Sequence, residues 1–438
     1  MSVNITTPRI IRAQWSSGRA FVLATAAAAV GLGNVWRFPY LAGENGGAAF
    51  IMAYIFAVLV LGIPLMIVEI GAGRTTQGGP VKTFRNLNKR SGGILGWAVV
   101  LLTMLIMSYY LVITGWTLGY AIDSLNGGVR SFADFTGDYR TILFFGISVS
   151  ITAFVVARGV KMIELLNKFM MPLFLTIILL LTTYSLTLPG TREALGFLFS
   201  PDFSGFLSPK LWALAFGQAF YSLAIGQGYL ITYGSFAPES LNLPRAVSII
   251  AIFETSIALL AGLMIFPLVF TFGLDPSHGS DLAFTTLPLA FSNMSFGALL
   301  AIPFFWLFFL AAISSCVAGM EVIKNTMREE LRLTQGWATV AAFLPILPLG
   351  LLATLSFTPA EFSILGRPFL EVLDMFAANQ IVIILGLAGG ALISWNVPSQ
   401  TIINMFSNRF RRYASHTITA TKYLWIVVLF ILILSLVT

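Results

Sequence analysis

Apolar residues in this chain come in long unbroken runs, not in the two-residue alternation of strands or the one-sided stripe of a surface helix. A bilayer crossing needs roughly 20 such residues. Measured against that length, the sequence predicts eleven spans, at about 20–43, 47–72, 94–123, 141–157, 168–188, 210–236, 246–273, 295–324, 337–356, 371–396 and 422–438. The third and eighth are overlong, which predicts tilt or extension beyond the hydrocarbon. Segment 276–292 is too short and interrupted to span and reads as an external hairpin or re-entrant loop. The first run lacks a small-residue cleavage site, so it reads as a retained helix and not a signal peptide. The fold expected is an all-α polytopic membrane protein, one transmembrane domain over 1–438.

Composition agrees. Of 438 residues, 57% are hydrophobic and 10% charged, against about a quarter charged in a soluble domain. The single cysteine, Cys316, excludes a disulfide framework, and His278 and His416 are too few and too far apart for a zinc site. The net charge of +7 reflects topology more than partners. With a cytoplasmic N-terminus, nineteen of the 25 Lys and Arg residues fall inside, and six (Arg37, Arg130, Arg140, Arg192, Lys210 and Arg367) fall outside. That distribution argues against nucleic acid as a partner. It places the chain in a cell membrane, as a multi-pass protein whose C-terminus lies outside.

Two spans are interrupted near their middles. The first reads AAAAVGLGNVWRFPY (26–40) and the sixth GQAFYSLAIGQGYLITYGS (217–235). Isolated glycines often serve only close helix packing. Here two clusters lie five spans apart, the spacing of a five-plus-five inverted repeat, with repeat one at about 20–188, repeat two at about 210–396 and an extra helix at 422–438. Unwound backbone at membrane depth is tolerated where it lines a cavity, and it exposes carbonyls to cations and N–H groups to anions.

Blocks GLGNVWRFPYLAGENGGAAF (31–50) and GIPLMIVEIGAGR (62–74) resemble the first two helices of the neurotransmitter:sodium symporter family, especially its bacterial amino-acid transporters. The resemblance continues through YYLVITGWTLGYAI (109–122), GQAFYSL (217–223), AAISSCVAG (311–319) and FLEVLDMFAA (369–378), covering nearly the whole chain. It implies eleven helices with helices 1 and 6 broken, and a Na⁺-coupled symporter that imports a neutral amino acid, hydrophobic or aromatic, by alternating access. It implies a prokaryotic cytoplasmic membrane and one or two co-transported Na⁺ ions, and leaves a homodimer open.

Carried over by position, a first sodium site would use the carbonyl of Ala29 with Asn34, Ser222 and Glu254, completed by the substrate carboxylate. A second would use carbonyls of Ala27, Val30 and Ala311 with the hydroxyls of Ser314 and Ser315, although such serines also bond back to their own helix. Glu254 stands where the family commonly has an amide, often an acid in its bacterial members, and Ala258 at a family anion-site position. A permanent carboxylate there implies chloride-independent transport; a glutamate kept neutral by burial is the alternative. For substrate, Gly31 and Gly33 would leave the N–H groups of Leu32 and Gly33 facing a carboxylate, with Tyr110 as a further donor. Amine-selective members carry an aspartate in place of Gly31. The side-chain pocket would comprise Ile106, Tyr110, Tyr221, Ala224, Gln227, Ser315 and Gly319, with Gln227 polar where the family is often apolar.

Arg37 and Asp374 match the external gate pair. Arg12 and Glu329 match the internal pair, with Trp15 as a plug and Phe236 in place of a tyrosine. Glu69 and Gln218 are expected to bond the unwound backbone. Three competitors remain from sequence: a proton-coupled transporter on the same fold with Glu254 carrying the proton, a receptor or channel without coupled flux, and an intramembrane enzyme. The last finds no nucleophile–base pair in the chain.

Overall fold

The computed structural model describes residues 13–126, 130–200, 203–275, 284–292, 294, 297–406 and 411–437. Its long helices are α1 (Gly18–Ala29) and α2 (Gly33–Glu44), which together form one span bent by 47°, then α3 (Ala48–Thr76), α4 (Gly92–Leu125), α5 (Arg140–Arg158) and α6 (Val160–Ser185). The sixth span is divided into α7 (Pro209–Ser222) and α8 (Tyr229–Gly234). After it come α9 (Leu243–Thr271), α10 (Gly297–Glu330), α11 (Gln335–Leu355), α12 (Phe369–Asn396) and α13 (Arg411–Ser435). Every predicted span has a counterpart, and the chain is an all-α polytopic membrane protein.

α4 and α10 have 34 residues each, about 50 Å at 1.5 Å per residue, well beyond a hydrocarbon layer of about 30 Å. They pack along one another and form the most buried part of the bundle. The outer helices carry large apolar side chains outward: Phe169 is 69% exposed, Leu180 66% and Ile252 66%. In water that surface would drive association; against lipid it is the ordinary exterior.

α6 begins eight residues before the predicted fifth span. Its first turns carry Lys161, Glu164 and Lys168, which hydropathy rejects but a helix end at the headgroups accommodates. α13 likewise starts ahead of 422, through the polar stretch from Arg411. In α3 a widened turn at Val58–Gly62 sits just ahead of Pro64, which has no N–H with which to continue the ladder. Of segment 276–292, residues 276–283, including His278, lie outside the described residues. Thr286–Ser292 is a short helix, and Phe284 packs against Trp116, Tyr120 and Phe132. The broken spans sit inside the bundle: α1 packs against α6, α9 and α10, and α8 against α3 and α10.

Candidate functional site

The first break is short. Ala29 ends α1, Val30 turns extended (φ −77°, ψ 98°), and α2 resumes at Gly33. Glycine at Gly31 lets Ser315 and Tyr110 close on the backbone: a Cβ would stand 2.5 Å from Ser315 Oγ and 2.7 Å from Tyr110 Oη and would push them back. The Gly31 N–H donates to Asn34 Oδ1 at 3.3 Å and the Leu32 N–H to Tyr110 Oη at 2.8 Å. The Gly33 carbonyl accepts from Gln218 Nε2 at 2.7 Å. Backbone groups that the break releases from the helix are thus taken up by side chains of Asn34, Tyr110 and Gln218.

The second break runs from Leu223 to Gly228 and passes through left-handed residues, with φ +56° at Ala224, +75° at Gly226 and +77° at Gly228. A Cβ on Gly226 would approach Gly386 N to 2.6 Å. Glu69 Oε1 accepts the Gly226 N–H at 3.0 Å, and Thr103 Oγ1 donates to the Gln227 carbonyl at 2.7 Å. Gln227 Nε2 turns back to the Tyr221 carbonyl at 3.2 Å. Side chains from α3 and α4 thus replace hydrogen bonds that the helix gives up, which a membrane interior requires.

Between the breaks lies a carboxylate with no exposed surface. Glu254, on α9, accepts from Asn34 Nδ2 at 2.6 Å and from Tyr54 Oη at 2.7 and 2.9 Å. Thr255 Oγ1 donates to it at 3.3 Å, and Tyr54 Oη lies 3.3 Å from Ser222 Oγ. Asn34, Ser222 and Glu254, three of the four residues expected around the first ion, are brought together. Tyr54 was missed. Its signal was a lone phenol in the apolar run AAFIMAYIFA.

The serines expected around the second ion are buried at the contact between α1 and α10. Ser314 Oγ donates to the Ala311 carbonyl at 2.9 Å, and Ser315 Oγ to the Ala28 carbonyl at 3.2 Å and the Ala311 carbonyl at 3.4 Å. Ser314 makes a bond within its own helix, whereas Ser315 also crosses to the end of α1. Val30 is held to Ala26 through its N–H, and Ala27 is fully buried.

An interior cavity of about 20 Å³ is lined by Ala29, Gly31, Gly33, Ile106, Tyr110, Tyr221, Ser222, Ala224, Gln227 and Ser315, all expected, together with Ala28 and Tyr229, which were not. Gly319 is set apart: the space of its missing Cβ is taken by Met107 Sδ at 2.4 Å and Tyr229 Oη at 2.5 Å. Leu32 joins the site through its N–H, while its side chain is buried in the core.

Above the cavity, Arg37 Nη1 donates to Gln218 Oε1 at 2.6 Å, and its guanidinium lies 5.1 Å from the Tyr221 ring centroid. Asp374, on α12, is within electrostatic reach of Arg37 and of Tyr109. At the other end, Trp15 Nε1 donates to the Tyr233 carbonyl at 3.1 Å and Trp15 N to the Phe236 carbonyl at 3.1 Å. Its ring packs edge-on against both aromatic rings. Phe236 therefore offers its ring and its carbonyl in place of a phenol. Ser16 adds hydrogen bonds from N and Oγ to Glu164, which the sequence did not suggest. Glu329 accepts the Gly79 N–H at 2.9 Å; Arg12 lies outside the described residues.

Two discontinuous helices that meet around a small interior cavity, beside a buried carboxylate, are the arrangement of secondary transporters of the broken-helix class. Residues 12–130 and 131–438 match the sodium:neurotransmitter symporter family, and the chain belongs to that family. It is a transporter and not an enzyme. A sodium-dependent transporter of Bacillus subtilis, YhdH, is 35% identical over 88% of this chain and 87% of its own. One from Haemophilus influenzae is 30% identical over 98% and 99%. Sodium-dependent nutrient amino acid transporter 1 of Drosophila melanogaster is 25% identical over 89% and 71%. Among solved structures, MhsT in complex with L-phenylalanine superposes with a TM-score of 0.89 at 33% identity, covering 97% of this chain and 100% of that one.

Proposed function

We propose that this protein couples Na⁺ entry to the import of a neutral amino acid, hydrophobic or aromatic, by alternating access, and that it does so without chloride. The observation carrying this reading is the meeting of Asn34, Ser222, Tyr54 and the fully buried Glu254 at the first helix break. A buried carboxylate wants a counter-charge. Na⁺, a hard ion, takes oxygens, and here it would find them on Glu254, Asn34, Ser222 and the Ala29 carbonyl. A substrate carboxylate held by the Leu32 and Gly33 N–H groups and Tyr110 would supply one more oxygen, so ion and substrate each raise the other's affinity. The second ion would be held by carbonyls of Ala27, Val30 and Ala311 with Ser314 and Ser315.

The neighbour MhsT, solved with L-phenylalanine, supports an apolar side chain in the substrate. Gln227 does not oppose it, because its amide N–H is tied to the Tyr221 carbonyl and caps the broken helix. Ala224, a small residue, lines the cavity together with Ile106. Arg37 and Asp374 would close the outer path and Trp15, with Arg12 and Glu329, the inner one. The repeats 20–188 and 210–396 would move as opposing halves, with the N-terminus in the cytoplasm of a prokaryotic cell. A proton-coupled cycle through Glu254 is the second reading, favoured only by the depth of that carboxylate.

Equilibrium binding of labelled L-phenylalanine to the purified protein tests this. Affinity should rise at least tenfold between Na⁺-free (K⁺) and Na⁺ buffers and be indifferent to chloride. Binding that responds to pH and not to Na⁺ would favour the second reading.

A further inference from the structure

A groove of about 930 Å³ runs between α1 and α9 on the outside of the bundle and shares no lining residue with the central cavity. Its mouth carries Arg19 and Arg245, both exposed, and its floor is apolar: Val22, Leu23, Ile249 and Phe253. Neither guanidinium is engaged in a hydrogen bond or an ion pair among the described residues. Both helices begin at this mouth, capped by Ser17 on the Ala20 N–H and Asn242 on the Arg245 N–H. Two helix N-termini therefore add partial positive charge to the two arginines.

The geometry follows the depth of a bilayer leaflet. From Arg19 to Ala26 and from Arg245 to Phe253 the walls descend about 10–12 Å along their helix axes, from charge to hydrocarbon. Ile249 and Ile252, 46% and 66% exposed, mark this side of α9 as lipid-facing. The mouth lies at the end of the molecule where most of the basic residues collect, so it sits at the headgroup level of that leaflet.

We propose that this groove holds an anionic phospholipid, its phosphate between Arg19 and Arg245 and an acyl chain along Leu23 and Phe253. Two guanidinium forks suit phosphate oxygens, and a zwitterionic headgroup would bring a cation against them. The occupant comes from the bilayer, since free phosphate would leave the apolar floor uncovered.

The full chain would be reconstituted in nanodiscs of phosphatidylcholine and phosphatidylglycerol at 4:1, transferred to mild detergent, and its retained lipids counted by native mass spectrometry. One phosphatidylglycerol should stay bound, about tenfold to thirtyfold in preference over phosphatidylcholine after correction for abundance. The exposed pair Arg19→Gln/Arg245→Gln should lose that preference. Leu23→Trp, which fills the floor and leaves the charges, should lose the lipid as well. Lys89→Gln/Arg90→Gln, at the same end of the molecule, should retain it. Unchanged preference in Arg19→Gln/Arg245→Gln, or an equal loss in Lys89→Gln/Arg90→Gln, would overturn the proposal, the second by reducing it to bulk charge.

Discussion

Glu254 concentrates the chemistry of the site in one side chain. It accepts two strong hydrogen bonds, from Asn34 and Tyr54, and has no exposed surface, yet those donors carry no formal charge. A nearby cation would complete it. Glu254→Gln keeps the shape and removes the charge, so it should lower the apparent Na⁺ affinity of substrate binding tenfold or more, from an ion–carboxylate interaction worth about 1–4 kcal/mol. Added chloride should restore part of that loss, a result a merely structural role would not give. Gly31 is limiting in the opposite sense. With Ser315 Oγ and Tyr110 Oη at 2.5 and 2.7 Å from an added Cβ, Gly31→Ala should abolish L-phenylalanine binding while thermal unfolding shows the protein still folded. Much of this was legible in sequence because polar residues such as Asn34 and Glu254 are improbable inside apolar runs, and Gly31 falls in a cluster with Gly33 and Asn34. Tyr54 was not, because a tyrosine in a membrane helix is unremarkable until its hydroxyl is seen against a carboxylate.

At the scale of elements, the site depends on two helices held open. The breaks were visible as clusters of glycine and polar residues. What holds them was only partly visible, because the supports come from other spans: Glu69 to Gly226, Thr103 to the Gln227 carbonyl, Gln218 to the Gly33 carbonyl. A lone Glu69 in an apolar run announces a buried partner but cannot say which backbone atom it meets. Glu69→Ala leaves the Gly226 N–H unpaired in a dry interior, a cost of about 1–3 kcal/mol, and should lower the unfolding midpoint measurably. Glu69→Gln, which can still accept, should recover most of it. Gly226→Ala should be worse than either, since φ of +75° is strained for alanine and Gly386 N lies 2.6 Å from the new Cβ. Span ends were the least legible. α6 and α13 both extend into polar sequence, where hydropathy stops and the helix does not.

At the scale of the whole molecule, access to the cavity is what must alternate. The side bearing Trp15 is closed by a packed set: the Trp15 ring on Tyr233 and Phe236, its two N–H bonds to their carbonyls, and Ser16 on Glu164. Trp15→Ala should open it. A reporter thiol introduced by Asn325→Cys, in the cavity of about 930 Å³ on that side, should then be alkylated severalfold faster in a Cys316→Ser background. No change in rate would remove Trp15 from the gate. Uptake into proteoliposomes decides whether sodium drives amino-acid import by this protein. Labelled L-phenylalanine would be supplied with an inward Na⁺ gradient, in chloride and in gluconate, and with K⁺ replacing Na⁺. Accumulation above equilibrium that needs Na⁺ and is the same in gluconate is the predicted result. Accumulation that follows a proton gradient and ignores Na⁺ would contradict it.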